Sequence, residues 1–176
     1  MKCHVIPSPS GIDSLVLVER PDPAPGPRQL LVRVRATSLN YRDLSTIEGR
    51  GGRAPPKPDL IPLSDGAGEV VAVGPGVTRF KAGDRVAGCF MQRWPGGEID
   101  DGATASAMGG AIDGMLTELA VLEEDGAVKL PGRAEDFAGE AVGDHDVVGN
   151  RDAIHGVRRG SGLGVGDDVA QHAIGR

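Results

Sequence analysis

The chain has 176 residues and a formal net charge of −6 at pH 7. That length suits one ordinary domain with a tail, or one domain and part of a second. With a pI near 5.2 the chain offers no basic field for phosphates or anionic lipid, so nucleic acid and membrane surfaces are excluded as expected partners. Because no apolar run is long enough for a signal peptide or a membrane span, we expect a cytoplasmic protein.

The two cysteines, Cys3 and Cys89, lie far apart in the sequence. Neither has a second cysteine nearby, so we expect free thiols rather than a disulfide framework or a four-cysteine zinc site. The 28 glycines and 13 prolines outnumber the aromatic residues, which are one tryptophan, one tyrosine and three phenylalanines. This composition predicts a loop-rich domain with a modest hydrophobic core.

Alternating apolar residues predict the first convincing strand. Prolines at positions 21, 23, 25 and 27 favour an extended connector before it. Residues 29–36 then alternate apolar and basic side chains, the period of a half-buried strand, with Val32 and Val34 facing inward. The segment 40–47 follows as a short helix, with Asn40 at its N-cap.

Further short strands are predicted in the apolar runs at 68–73, 85–87, 116–122 and 127–130, each bounded by glycine-containing or proline-containing turns. Residues 93–114 are rich in glycine, alanine and acidic residues, and we expect a long surface excursion there. Five or more short strands predict a mainly β, barrel-like domain.

One motif carries a family resemblance. Residues 61–74 are IPLSDGAGEVVAVG, and residues 81–88 are KAGDRVAG. These segments resemble the catalytic-domain signature of medium-chain dehydrogenases and reductases, and the resemblance covers residues 1–131. It implies a GroES-like, partly open β-barrel with short helices. Gly66, Gly68 and Gly74 are expected to serve close backbone packing or positive φ angles rather than cofactor contact.

The resemblance also bears on metal binding. Zinc-containing members have a ligand cysteine where this chain has Asn40, and a ligand histidine where it has Ser64. A catalytic zinc needs about three protein ligands, and Asp65 is the one suitable residue left in this group. We therefore expect no metal, and the Asn-Tyr-Arg-Asp segment at 40–43 resembles the zinc-independent branch of quinone and enoyl reductases, whose members use NADPH or NADH.

That branch implies a set of site residues. Asn40, Tyr41, Asp43 and Ser64 are the candidate catalytic residues, and Asn40, Tyr41 and Arg42 are the candidates near the nicotinamide. Asn40, Tyr41 and Ser64 can donate hydrogen bonds to a substrate carbonyl, whereas Asp43 is expected to hold Arg42 or a backbone amide. The alternative is that Asn40 only caps a helix and Tyr41 only packs.

Three apolar residues after the 83–88 turn, Phe90, Met91 and Trp94, are candidates for the wall of a substrate pocket. The resemblance implies a small carbonyl, alcohol or quinone as the substrate. The alternative is that these three side chains are ordinary core residues beneath the long loop.

The composition changes after Pro131, where lysine and tyrosine disappear. The glycine-rich segment 160–166 departs from the G-x-G-x-x-G fingerprint, and His145, His155 and His172 match no metal spacing that we know. We expect residues 132–176 to be an atypical tail, from a frameshift or truncation in place of a Rossmann domain. The chain would then be the catalytic-domain fragment of an NAD(P)H-dependent oxidoreductase, inactive alone and prone to self-association through exposed apolar surface.

Two other interpretations of the whole chain stay open. One is a non-catalytic binding or interaction module with a GroES-like fold. The other is a complete enzyme whose cofactor site lies in the tail.

Overall fold

A computed structural model describes residues 1–50 and 57–131, and these residues form mainly strands. The elements in chain order are β1 (Lys2–Val5), β2 (Val16–Glu19), β3 (Gln29–Ser38), α1 (Tyr41–Ile47), β4 (Asp65–Val73), β5 (Arg85–Gly88), α2 (Asp101–Thr104), β6 (Leu119–Glu123) and β7 (Ala127–Lys129). The predicted strand at 29–36 and the predicted helix at 40–47 are confirmed. The tail that begins at residue 132, with its glycine-rich segment and three histidines, lies outside the described residues.

The sheet has five antiparallel strands in the order β6-β3-β4-β5-β7, and β1 pairs with β2 in a separate hairpin. The long strand β3 pairs with β4 on one side and with β6 on the other. The sheet curls into a half-barrel with few helices, which confirms the predicted partly open β-barrel with short helices.

The core lies against the inner face of β3. Leu30, Val32 and Val34 are all buried, so the alternation in the sequence predicted the inward face correctly. They pack in one cluster with apolar side chains of the neighbouring strands, including Val70 and Val86. Burying each of these side chains contributes about 1.5–3 kcal/mol to the free energy of unfolding.

Glycines in β4 and directly after it permit close packing of neighbouring chain segments. A Cβ at Gly68 would overlap the Arg33 carbonyl of β3, and a Cβ at Gly74 would overlap the Gly26 carbonyl. Neither glycine has a positive φ angle. Close backbone approach is therefore the reason for glycine at both positions.

The prediction of a surface excursion at 93–114 is wrong for the second half of the segment. The Asp100 side chain caps α2 by accepting a hydrogen bond from the Ala103 amide at 2.7 Å. The chain then turns inward, and Met108 is 1% exposed and belongs to the main core cluster. The Met108 amide donates to the Phe90 carbonyl at 2.9 Å, which ties this loop to the segment after β5.

Candidate functional site

The candidate site forms where β3 ends and β4 begins. Ser38, the last residue of β3, lies opposite Asp65, the first residue of β4. Asn40 follows two residues after Ser38, so the strand pairing carries it to Asp65. The Asn40 side-chain amide donates a hydrogen bond from Nδ2 to Asp65 Oδ2 at 2.5 Å.

The second carboxylate at the site belongs to Asp43 in the first turn of α1. Its Oδ2 accepts a hydrogen bond from the Asn40 backbone N–H at 2.8 Å, so Asp43 caps the helix. Asp43 is 8% exposed, and its Oδ1 is buried without a full hydrogen bond. Burial raises the pKa of Asp43, and the backbone amides of Asn40 and Ser64 only partly offset this rise.

The Arg42 side chain points to the 108–110 loop. Its guanidinium donates to the carbonyl oxygens of Met108 and Gly109 at 3.2 Å each, and it lies over the Phe90 ring. Burial lowers the pKa of Arg42. Arg42 therefore ties α1 to the loop, and its predicted contact with a cofactor stays a prediction.

Ser64 is buried and lies between Asp65 and a residue in an unusual backbone conformation. Leu63 has a φ angle of +73°, in the left-handed region that costs energy for a branched residue. Hydrogen bonds hold this turn, because the carbonyls of Pro62 and Leu63 accept from the amides of Leu116 and Met115. The strained turn sets the direction in which the chain passes from Ser64 into β4.

Tyr41 is exposed, together with two neighbouring apolar residues. Leu39 and Tyr41 are each 75% exposed and Leu44 is 47% exposed. We call these three residues the α1 apolar patch. Large exposed apolar groups beside a polar cluster are typical of a binding surface. Tyr41 is therefore not part of the core of the described domain, and its predicted role at the site stays a prediction.

The three predicted pocket residues have different surroundings in the structure. Phe90 carries the Arg42 guanidinium on its ring, Met91 forms a bridge with Ala107, and Trp94 is 42% exposed. A cavity of about 260 Å³ lies elsewhere, beside β6, and its lining includes Gln92 and Ile112 but none of the predicted site residues. Of the three, Phe90 alone joins the residues of α1, through Arg42.

A family comparison decides the affiliation. A family model described as alcohol dehydrogenase GroES-like domain matches residues 26–132, more than half of the chain. The chain belongs to this family. The predicted membership of the medium-chain dehydrogenase and reductase superfamily is confirmed, and the family is NAD(P)-dependent.

Two curated proteins illustrate the relationship. The chain is 39% identical over 123 residues to a zinc-type alcohol dehydrogenase-like protein of Schizosaccharomyces pombe. This alignment covers 69% of this chain and 35% of that protein. It is 48% identical over 88 residues to the synaptic vesicle membrane protein VAT-1 homolog of Homo sapiens. That alignment covers 49% of this chain and 22% of the human protein.

Two solved structures share the fold of this GroES-like domain. One is a thermostable alcohol dehydrogenase from Pyrobaculum aerophilum, with 30% identity and a TM-score of 0.63, covering 78% of this chain and 43% of that chain. The other is a quinone oxidoreductase from Pseudomonas syringae, with 32% identity and a TM-score of 0.57, covering 75% and 34%. The chain thus spans less than half the length of each of these relatives.

Two further observations concern the GroES-like domain as described. Within residues 1–50 and 57–131, no group of three or more His, Cys, Asp or Glu residues is placed to hold a metal ion. In the same ranges, no helix is both long enough and apolar enough to cross a membrane. The sequence did not predict the contact of Asp65 with Asn40, because the pairing of β3 with β4 is what brings these two residues together.

Proposed function

We propose that residues 1–131 form the substrate-side catalytic domain of an NAD(P)H-dependent oxidoreductase that works without zinc. The observation that supports this proposal most directly is the contact between Asn40 and Asp65. It lies where zinc-containing relatives of the superfamily are expected to place their first ligand. The reaction class is hydride transfer to the carbonyl of a small molecule or to an activated alkene.

The residues at the two expected ligand positions do not fit zinc. Asn40 presents an amide NH₂ group to Asp65, and an amide nitrogen that carries hydrogens has no lone pair to offer a cation. Ser64 supplies a neutral hydroxyl in place of an imidazole. Asp65 is thus left as one ligand, whereas a catalytic zinc site needs about three.

Without a metal, hydrogen-bond donors must stabilise the negative charge that develops on the substrate oxygen. When bound, the nicotinamide supplies the hydride. Asn40, Tyr41 and Ser64 are the donors that we assign to the oxygen, while Asp43 and Asp65 orient Asn40. Removing one donor of this kind typically slows turnover by about 100-fold to 1,000-fold.

We further propose that the 176-residue chain neither binds the dinucleotide nor turns over alone. A Rossmann-type site needs a parallel β-α-β unit with a glycine-rich turn. The strands of residues 1–50 and 57–131 pair only in antiparallel fashion. The family match ends at residue 132, close to the domain boundary that we propose after residue 131.

A second candidate is a non-catalytic interaction module with the same fold. The α1 apolar patch favours it, because such a surface can hold a partner without any chemistry. The two functions differ in whether Asn40 is needed, since a docking surface would depend on Leu39 instead.

Calorimetric titration of the whole chain with NADPH and NADH, up to millimolar concentrations, tests the cofactor proposal. We expect no binding, and micromolar binding would show that the chain holds its own dinucleotide site. Metal content after dialysis against zinc tests the proposal that the domain works without zinc. One tightly bound zinc per chain would contradict that proposal.

A chimera tests the reaction class. In it, residues 1–131 replace the corresponding part of the Pseudomonas syringae quinone oxidoreductase, and oxidation of NADPH is followed with quinone and ketone acceptors. We expect turnover that Asn40→Ala reduces and Leu39→Gln does not. A chimera that binds NADPH but reduces none of the acceptors would favour the interaction module.

A further inference from the structure

Two carboxylates hold Asn40 from different sides. Asp43 Oδ2 accepts the backbone N–H of Asn40 at 2.8 Å, and Asp65 Oδ2 accepts a hydrogen from the side-chain Nδ2 at 2.5 Å. Asp43 belongs to α1, which follows Asn40, and Asp65 belongs to β4, which pairs with β3. Asn40 is therefore restrained in both its main chain and its side chain.

The bond to Asp65, together with the capping box in which the Asn40 side chain accepts from the Asp43 backbone N–H, determines which atom the Asn40 amide presents. A free asparagine amide can turn either its oxygen or its nitrogen toward a ligand. An ionised carboxylate only accepts hydrogen bonds, so it selects the orientation in which Nδ2 faces Asp65. One hydrogen of Nδ2 is used in this bond. A primary amide nitrogen carries a second hydrogen, which can donate to an acceptor oxygen.

The Arg42 guanidinium makes no hydrogen bond to either carboxylate among the described residues, so it does not compete with Asn40 for them. Arg42 lies between Tyr41 and Asp43 in sequence, but its guanidinium donates to the carbonyls of Met108 and Gly109 and stacks on a ring. It acts on Asp43 and Asp65 only through its charge. The formal charges of Asp43, Asp65 and Arg42 sum to a net negative charge, which opposes an anionic ligand.

We propose that Asp65 is the positioning residue that makes Asn40 a hydrogen-bond donor, and that the site selects a neutral carbonyl compound over a keto acid. The choice of a carbonyl rests on the proposed function. The role of Asp65 in orienting the amide does not, because it follows from the contact between the two side chains.

The first test is the NMR signal of the Asn40 NH₂ group in the whole chain, assigned by its loss in Asn40→Ala. In the wild type we expect one of its two hydrogens to shift downfield and to exchange slowly with water. Asp65→Asn should remove that shift and accelerate exchange about tenfold, because a hydrogen bond to a charged group is lost. Glu69→Gln, which changes another carboxylate on β4, should leave the signal unchanged.

The wild-type spectrum keeps this test decisive even if Asp65→Asn does not fold. Two ordinary, fast-exchanging Asn40 amide hydrogens in the wild type would overturn the role of Asp65. A downfield signal that Asp65→Asn leaves unchanged in a folded variant would overturn it as well.

The second test uses two probes of similar size, neutral cyclohexanone and anionic pyruvate, at millimolar concentrations. We expect cyclohexanone to move the Asn40 NH₂ signal of the wild type and pyruvate to move it much less, with the difference shrinking in Asp65→Asn. Equal responses to both probes in the wild type would overturn the selectivity. If neither probe moves a signal that still shows the Asp65 bond, the carbonyl site of the proposed function fails while the role of Asp65 stands.

Discussion

The guanidinium of Arg42 lies over the ring of Phe90, with its central carbon 4.7 Å from the ring centroid. The same guanidinium donates to two carbonyls of the loop that follows α2. The stack and the hydrogen bonds join α1, which carries the candidate site, to a loop that reaches the core through Met108. Arg42 thus supports the position of α1.

Arg42→Lys should lower the free energy of unfolding by about 1–2 kcal/mol, because lysine keeps the charge but loses the planar fork and the stack. Urea unfolding measures the loss. The control is Arg35→Lys on β3, whose exposed side chain pairs with Glu69. Equal losses in the two variants would show that the Arg42 contacts contribute little.

Gly68→Ala should destabilise the sheet by about 3 kcal/mol or more, because the new Cβ meets the Arg33 backbone and the two strands must separate. Gly102→Ala in α2 is the matched control, since its Cβ would meet only a side chain, that of Asp100. Thermal unfolding compares the two variants. A Gly68→Ala protein as stable as Gly102→Ala would contradict the close approach of β3 and β4.

Asp43→Asn should gain stability relative to the wild type as the pH rises from 3 to 7. Burial raises the pKa of Asp43 above its ordinary value of 3.8, so the folded wild type holds this proton more tightly than the unfolded chain. The stabilisation is complete below pH 3.8 and is lost as the pH rises through the raised pKa. Asparagine does not titrate and keeps an oxygen for the Asn40 amide.

Urea unfolding of both proteins across this pH range measures the difference. Asp43→Ala is the comparison variant, and it should be less stable than Asp43→Asn at pH 7 because the Asn40 amide loses its acceptor. A stability difference between wild type and Asp43→Asn that does not change with pH would contradict the raised pKa.

Asp84 should show the opposite dependence on pH. Hydrogen bonds from the side chain and backbone of Lys81, with a further bond from Lys129, lower the pKa of Asp84 from 3.8 to about 2. The stabilisation is therefore present above pH 3.8 and is lost as the pH falls toward 2. The difference in free energy of unfolding between the wild type and Asp84→Asn should therefore shrink as the pH falls over this range. In a Lys129→Met background the same difference should be smaller at neutral pH but still present, because the Lys81 bonds to Asp84 remain.

Polar substitution of the α1 apolar patch should weaken the self-association that we predict for the chain. Sedimentation equilibrium of the wild type, Leu39→Gln and Val128→Gln tests this point, since Val128 is an exposed apolar residue of β7. We expect Leu39→Gln alone to lower the average mass at high concentration. A wild type that stays monomeric, or an equal effect of Val128→Gln, would contradict a role for the patch.

Local patterns predicted those elements that local interactions determine. The alternation in residues 29–36 indicated β3 and its inward valines, and an asparagine before a helical segment indicated the start of α1. The hairpin of β1 and β2 was not predicted, because each strand has four residues and too few alternations to identify a period. The burial of Met108 was missed because its neighbours are mostly small residues that also occur in surface loops.

The amino-acid sequence was enough to predict the main strands, the family and the residues at the two expected zinc-ligand positions, Asn40 and Ser64. The folded domain was needed to show that Asp65 binds the Asn40 side chain, that Asp43 binds its backbone and that Arg42 stacks on Phe90. These contacts could not be predicted because they depend on the register of β3 with β4 and on the return of a long loop. Such long-range pairings are set by the packing of the whole domain, and no short segment of sequence specifies them.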